Sequence, residues 1–118
     1  MNNLLILDIE NEPVIQKLKD IKGIKVVTGT IRRPKLYPIP DLILINFDIL
    51  LGYERRECIF IEIASKLHPQ VDIIAFADYW TSDKEMLAHS FGADDCMSFS
   101  ELENLPQMIK YIFDVDNS

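Results

Sequence analysis

The sequence predicts an α/β domain in which a five-stranded parallel sheet lies between two layers of helices. Three observations predict it. Five short apolar runs alternate with amphipathic segments, most runs are apolar at consecutive positions, and the intervening segments carry helix start and stop signals. Continuous apolar runs are typical of strands that are covered on both faces, as in parallel sheets. Right-handed crossovers then place helices on both sides of the sheet.

The five predicted strands are short and are bounded by polar or turn-forming residues. Asn46 directly follows the third strand, so we expect it to lie at the carboxyl end of that strand, hydrogen-bonded there as a structural residue. Ligand crevices of open α/β sheets form at these ends. The predicted strands are Leu4–Leu7, Ile24–Thr28, Leu42–Ile45, Ile73–Ala77 and Cys96–Phe99.

The first two helices have clear sequence signals. Asn11 can cap the first helix, Pro13 is tolerated in its first turn, and Gly23 follows it as a stop. The segment Arg55–Leu67 carries apolar residues at positions 59, 60, 63, 64 and 67. That spacing predicts a helix with a wide apolar face.

The last two helices begin at capping motifs. Ser82 and Glu85 form a Ser-x-x-Glu capping box, which predicts the start of the helix that follows the fourth strand. The final helix has two candidate starts. One is the box formed by Ser100 and Glu103, and the other is Asn104, which lies just before Leu105 and Pro106.

Residues 29–41 depart from this alternation. Pro34, Pro38 and Pro40 lie close together, which disfavours a regular helix. The second crossover helix is therefore predicted to be shortened or replaced by a Pro-rich loop. Irregular chain would cover that side of the sheet through Ile31, Leu36, Tyr37 and Ile39. The whole order predicts a flavodoxin-like doubly wound fold with strand order 2-1-3-4-5.

The length and charge of the chain limit the classes of function. The 118 residues suit one domain, predicted to span residues 1–114, with 115–118 as a frayed tail or the start of a linker. A net charge of −7 argues against nucleic-acid binding. No apolar stretch has the length of a membrane span or the pattern of a signal peptide, which predicts a cytoplasmic protein.

The cysteines and histidines show no metal or catalytic spacing. Cys58 and Cys96 are far apart, without a Cys-x-x-Cys motif, and are expected to be reduced thiols. His68 is expected near a helix end, and His89 on the solvent side of its helix. Neither has the sequence context of a catalytic triad, so a hydrolase is poorly supported.

Three segments resemble landmarks of bacterial response-regulator receiver domains, the CheY-like family, in the right order. Residues 6–10, Ile-Leu-Asp-Ile-Glu, are similar to the Val-Asp-Asp-Glu of that family. Residues 40–46 are similar to its Pro-Asp-Leu-x-x-x-Asp strand, and residues 92–95 match its Gly-Ala-Asp-Asp turn. The resemblance covers nearly the whole chain and implies a signalling module of a two-component phosphorelay system.

The resemblance also implies where a phosphoryl-transfer site would lie, and most of its positions have lost their chemistry. Asn46 stands in place of the phosphoacceptor Asp, and Ile9 in place of a Mg²⁺-binding acid. Ala77 replaces a hydroxyl residue, Phe99 replaces a Lys, and Cys96 replaces the switching aromatic residue. An amide cannot form an acyl phosphate, and Mg²⁺ needs hard oxygen ligands. These losses predict a degenerate pseudo-receiver that is not an enzyme and binds no cofactor.

Two alternatives remain open at this point. A two-residue slip would make Asp48 the phosphoacceptor of an unorthodox switch. The retained Asp8, together with Asp48 and Asp78, could instead form a residual metal site, as in a small-ligand- or metal-binding flavodoxin-like domain. We favour a third hypothesis, a phosphorylation-independent module that acts through protein–protein contact.

The candidate contact residues lie after the fourth strand and on the face that receivers commonly use for partners. Tyr79 and Trp80 would either cover the sheet end or anchor a partner. In receivers, partners and homodimers commonly contact the face formed by the family's fourth helix, fifth strand and fifth helix. The resemblance implies four further contact residues on the matching face of this chain, unless their apolar side chains belong to the core. The four are Lys84, Leu87, Met97 and Tyr111.

Overall fold

A computed structural model describes residues 2–32, 39–48 and 55–115, with Arg55 described by its backbone alone. Within these residues, strands and helices alternate along the chain as predicted. The strands are β1 Asn2–Leu7, β2 Ile24–Gly29, β3 Leu42–Asn46, β4 Asp72–Ala77 and β5 Asp95–Ser98. The helices are α1 Glu12–Lys19, α2 Arg55–Leu67, α3 Ser82–Phe91 and α4 Leu105–Ile112, with a 3₁₀ helix at Phe99–Asn104.

The five strands form one parallel sheet in the order β2-β1-β3-β4-β5, which confirms the predicted flavodoxin-like topology. The register brings the strand ends together. Leu7 pairs with Ile45, Asn46 pairs with Phe76, and Ala77 pairs with Ser98. The residues that follow β1, β3 and β4 therefore meet at one edge of the sheet, where the crevice of this fold lies.

The sheet separates two apolar cores. Side chains alternate along a strand, so Leu4 and Ile6 of β1 pack on one face while Leu5 and Leu7 pack on the other. The first face meets α1 and α4, and the second meets α2 and α3. Because both faces are covered, every residue from Leu42 to Ile45 is at most 1% exposed. This double burial explains why the strands read as continuous apolar runs.

The helix starts agree with the sequence signals to within one turn. Asn11 caps α1, as predicted, by accepting a hydrogen bond from the Val14 N–H at 3.2 Å. The cap of α3 is Thr81, not Ser82 as predicted. Thr81 has extended backbone angles and its hydroxyl accepts from the Lys84 N–H at 3.1 Å, whereas Ser82 is already helical.

The start of the last helix is a second correction. The capping box is formed by Ser98 and Glu101, and it opens the 3₁₀ helix rather than α4. It lies two residues before the box predicted at Ser100 and Glu103. The α-helix itself begins after Asn104, the alternative start, although the Asn104 side chain makes no capping hydrogen bond.

Helix α2 is apolar on two sides, whereas the sequence predicted one wide apolar face. Phe60 and Ala64 point into the α2/α3 core. Ile59, Ile63 and Leu67 point away from it and are 44%, 49% and 63% exposed. The last three are spaced by four residues, so they form a single stripe along the solvent side.

The connection between β2 and β3 is described only in part. None of the described residues between these strands is helical, in line with the predicted Pro-rich loop, and the prediction for residues 33–38 lies outside the described residues. Ile31 packs partly against the α2/α3 core. Ile39 was expected to cover the sheet but is 46% exposed.

The packed domain reaches Val115, one residue past the predicted boundary. The Val115 N–H donates to the Lys110 carbonyl at 3.0 Å, and its side chain packs against the α1/α4 core. The predicted tail at 116–118 lies outside the described residues. Among the described helices, none combines the length and the apolar composition that a membrane crossing requires.

Candidate functional site

Asn46 links the carboxyl ends of β1 and β3. Its side-chain Nδ2 donates to the Asp8 carbonyl oxygen at 2.9 Å, and its Oδ1 accepts from the Asp48 N–H at 2.7 Å. Both ends of the amide thus have backbone partners, which confirms the prediction of a hydrogen-bonded residue at the end of the third strand. A carboxylate could accept the second of these bonds but, when ionised, could not donate the first.

Asp8 is held in an unusual backbone conformation. Its φ is +58°, in the left-handed region that few non-glycine residues adopt, although Asp tolerates it better than most. Its N–H donates to the Gly29 carbonyl at 2.9 Å, and its carboxylate Oδ2 accepts from the Ile31 N–H at 3.1 Å. The carboxylate is therefore engaged with the chain that follows β2.

A shallow open depression of about 460 Å³ lies at the place where the resemblance implies a phosphoryl-transfer site. Its lining combines two acidic residues and one amide residue with three apolar ones. The lining residues are Asp8, Ile9, Glu10, Asn46, Phe99 and Leu102.

The three apolar replacements at this site belong to the packing of the domain. Ile9 is 8% exposed and joins the α1/α4 core. Phe99 packs against the same core and stacks on Phe76, with ring centroids 6.1 Å apart. Ala77 is fully buried at the end of β4. Phe99 therefore fills space where the resemblance implies a lysine.

The loop after β4 covers the other side of the crevice. The Trp80 indole N–H donates to the Met97 carbonyl at 2.8 Å, and the ring stacks on the buried Phe47 at 5.8 Å. The Lys84 ammonium lies 5.4 Å from the centroid of the Trp80 ring, within cation–π range. Of the two interpretations left open for Trp80, its contacts match a cover of the sheet end.

Lys84 also brings a positive charge to this end of the sheet, which the sequence did not predict. Its Nζ lies 3.5 Å from Asp48 Oδ1, in an ion pair with half-exposed side chains. Asp78 shares this group. A hydrogen bond with Asp48 raises the pKa of Asp78, burial and the charge of Asp48 raise it further, and Lys84 lowers it. Two carboxylates and one ammonium thus interact beside Trp80.

Asp8 and Asp48, two residues of the predicted residual metal site, have different carboxylate partners, although the backbone of each is hydrogen-bonded to the Asn46 amide. Asp8 bonds toward β2, and Asp48 pairs with Lys84 of α3, which follows β4. Across the described ranges, no three His, Cys, Asp or Glu side chains are grouped as metal ligands. Mg²⁺ binds closely grouped hard oxygens, so the residual metal site stays a prediction.

The candidate partner-contact residues fall into two groups. Tyr79 and Tyr111 are 74% and 86% exposed, which makes both accessible to a partner. Trp80, Lys84, Leu87 and Met97 are half-buried. Leu87 packs against the α2/α3 core and Met97 against the α1/α4 core, so both belong mainly to the domain interior. Met86, which sequence reasoning did not single out, is 68% exposed.

Sequence reasoning also missed a contact between His89 and Cys96. The Cys96 Sγ lies 3.7 Å from His89 Nε2, because the turn at Gly92 folds β5 back along α3. Partial burial, followed by the charges of Glu85 and Asp95, raises the pKa of the Cys96 thiol to about 11. A thiol that stays protonated at neutral pH is a poor nucleophile. The signal in the sequence was the stop glycine between the helix and the short strand.

Replacing Asn46 by Asp is expected to destabilise the domain by about 1–3 kcal/mol at pH 7, because an ionised carboxylate would face the Asp8 carbonyl in place of a donor. The loss should shrink as the pH falls toward 4, where the protonated acid regains a donor. Asn46→Ala should cost about 1–2 kcal/mol with little pH dependence. Urea unfolding at both pH values measures the differences.

The matched control is Asn104→Asp, which adds the same charge at an exposed position whose side chain makes no capping hydrogen bond. It should change stability by less than about 0.5 kcal/mol. Equal stability of the Asn46→Asp variant and the original chain at pH 7 would show that the bond to Asp8 contributes nothing.

Asp48→Ala is expected to lower the pKa of Asp78, because it removes both the hydrogen bond and the charge that raise it. Lys84→Gln should raise that pKa further, and Lys110→Gln, a charge-matched change on α4, should leave it unchanged. Carboxyl NMR titration gives each value.

Because the pKa of Asp78 is raised in the folded domain, its ionisation makes folding less favourable. The contribution of Asp78 to folding is present at low pH and is lost as the pH rises through its folded-state pKa. An Asp78 titration that is the same with and without Asp48 would contradict the interaction.

Comparison with solved structures shows full-length similarity to receiver domains. The chain matches CpaE of Burkholderia thailandensis, a candidate pilus assembly protein, with 18% identity and a TM-score of 0.71 over 97% of this chain and 99% of that one. It matches a CheY-like receiver domain protein of Methanospirillum hungatei with 19% identity and a TM-score of 0.66, over 97% and 94%. It matches the CheY-like TadZ of Pseudomonas aeruginosa with 15% identity and a TM-score of 0.64, over 92% of this chain and 93% of that one.

No protein-family model and no curated protein sequence matches the chain. The similarity is therefore one of structure, and it agrees with the three sequence landmarks and with the observed strand order. The chain has the fold of CheY-like response-regulator receiver domains.

Proposed function

We propose that this domain is a receiver-like signalling module that works through protein–protein contact and does not accept a phosphoryl group. It would serve a two-component-type regulatory system in the cytoplasm, as a pseudo-receiver. The observation that carries the proposal is the double hydrogen bond of Asn46, whose amide nitrogen donates to Asp8 while its oxygen accepts from Asp48. Asn46, at the position where the resemblance implies a phosphoacceptor, is therefore occupied in hydrogen bonds to the backbone of two other residues.

The surroundings of Asn46 support the same conclusion. Phosphoryl transfer depends on charge stabilisation by metal ions and cationic groups around the transferred oxygens. Here Ile9 and Phe99 place hydrocarbon on one side of the depression, and Ala77 offers no hydroxyl. The module would therefore act without a bound cofactor and without enzymatic activity.

The proposed partner surface lies on the α3 side of the crevice. Tyr79 and Met86 are 74% and 68% exposed, and the Trp80–Lys84 contact between them in the chain fixes the start of α3. Tyrosine contributes strongly to interface hot spots because it buries a rigid, amphipathic ring. Tyr111 offers a second exposed aromatic side chain on α4. With a net charge of −7, the partner is expected to be a protein rather than nucleic acid or an anionic membrane.

The structural neighbours suggest a setting for this contact. CpaE of Burkholderia thailandensis is a candidate pilus assembly protein. A role in the regulation of pilus assembly is therefore one specific form of the proposed signalling function.

A second candidate is an unorthodox switch phosphorylated at Asp48. One observation favours it: Asp48 is exposed and its carboxylate lies 3.5 Å from the Lys84 ammonium, a counter-charge supplied by α3. Against it, Asp48 lies two residues past the end of β3. Its neighbour Asp78 would add negative charge beside a phosphoryl group.

To test the proposal, the immobilised domain is used to capture a partner from an extract of its source cells. Titration calorimetry with the purified partner then measures the affinity. Tyr79→Ala and Met86→Ala should each weaken binding by about ten-fold or more, because both remove exposed contact area at a hot spot. Asp48→Asn should leave the affinity within about two-fold, because no phosphoryl group is involved.

Leu67→Ala is the matched control. Leu67 is 63% exposed, but it lies on α2, away from the proposed surface, so its truncation should not change binding. A partner that binds only after treatment with acetyl phosphate, or that is lost in the Asp48→Asn variant, would overturn the proposal in favour of the Asp48 switch.

A further inference from the structure

His89 and Cys96 form a pair at the border of the sheet, outside the strand-end crevice. His89 is exposed on the last turn of α3, and Cys96 is half-buried on β5. The Sγ and Nε2 atoms are 3.7 Å apart.

The tautomer of His89 is fixed by its other ring nitrogen. Nδ1 lies 2.8 Å from the Ala93 carbonyl oxygen, and because a carbonyl only accepts, Nδ1 carries the proton. The lone pair of Nε2 is then directed toward Cys96. Metal-binding histidines commonly have this arrangement, in which the non-ligating N–H donates to a backbone carbonyl and orients the ring.

The separation of the two atoms also suits a shared cation. Zinc lies about 2.3 Å from a cysteine sulfur and about 2.0 Å from a histidine nitrogen, so these two ligands of a tetrahedral ion are about 3.5 Å apart. The observed separation of 3.7 Å is close to this value. Asp95, whose carboxylate accepts from the Cys96 N–H at 2.8 Å, adds negative charge beside the pair.

One chain supplies only two of the four ligands. No group of three metal-ligating side chains occurs among residues 2–32, 39–48 and 55–115. β5 is an edge strand that pairs with β4 alone within the described sheet, so the pair lies where a second copy can approach. A two-fold axis through the ion would duplicate each ligand and give a closed Cys₂His₂ set, the composition of many structural zinc sites.

We propose that Cys96 and His89 form a half-site for a zinc-class cation, and that a second copy of this chain completes it. The Cys96 thiol releases its proton to solvent as the bond between sulfur and metal forms. The charges of Glu85 and Asp95 act on Cys96, so we expect these carboxylates to repel their counterparts in another copy when no ion is bound. The ion offsets that repulsion and makes dimerisation dependent on metal.

The test uses the full chain in a phosphine reductant, with zinc or cobalt added alone. One Zn²⁺ for every two chains should double the mass measured by light scattering. Co²⁺ should give a thiolate-to-cobalt charge-transfer band and the strong visible bands of a tetrahedral site. Cys96→Ser and His89→Gln should abolish the charge-transfer band or weaken binding by at least about ten-fold.

The chain contains two cysteines and two histidines, so Cys58→Ala and His68→Gln are matched controls that should keep both signals. Thermal unfolding of each variant confirms that it is folded. A monomer that lacks the cobalt band would leave only an S–H···N hydrogen bond and would overturn the proposal. A one-to-one monomeric complex, or a dimer that forms without metal, would also overturn it.

Discussion

The hydrogen bond from the Asn46 amide to the Asp8 carbonyl is the contact on which the rest of the crevice depends. It ties the ends of β1 and β3 and holds Asp8 at a φ of +58°, where its carboxylate reaches the Ile31 N–H. The Asp8 carboxylate thus bonds to the chain that follows β2, whereas the Asp48 carboxylate pairs with Lys84 of α3.

The opposite side of the crevice has its own set of contacts. Trp80 bonds to the β5 backbone, stacks on Phe47 and lies beneath the Lys84 ammonium, which pairs with Asp48. Under the proposed function, we expect these contacts to hold one conformation for a partner, whereas a phospho-switch requires two states separated by a few kcal/mol.

Much of the fold could be predicted because its signals are local. Double burial makes the central strands apolar throughout, and Asn11 caps α1 through a partner three residues away. The failures have local causes too. Thr81 takes the cap that Ser82 was predicted to form, because two adjacent hydroxyl residues give the same pattern in sequence. Helix α2 is apolar on two sides, and periodicity alone could not show which side faces the core.

The site was harder to predict because its contacts join residues that are distant in sequence. The position of Asn46 followed from the strand pattern, but its bond to Asp8 spans 38 residues. The Lys84–Asp48 pair spans 36 residues and depends on the packing of α3, which no local pattern encodes. The His89–Cys96 contact spans only seven residues, yet it requires the turn at Gly92.

The central claim is that this receiver fold does not take up a phosphoryl group. The direct measurement is intact mass, together with amide NMR spectra, after incubation with acetyl phosphate or beryllofluoride and Mg²⁺. We expect no phosphoryl adduct and no amide shifts around residues 46–48. A stoichiometric adduct, or shifts centred on Asn46 and Asp48, would contradict the account.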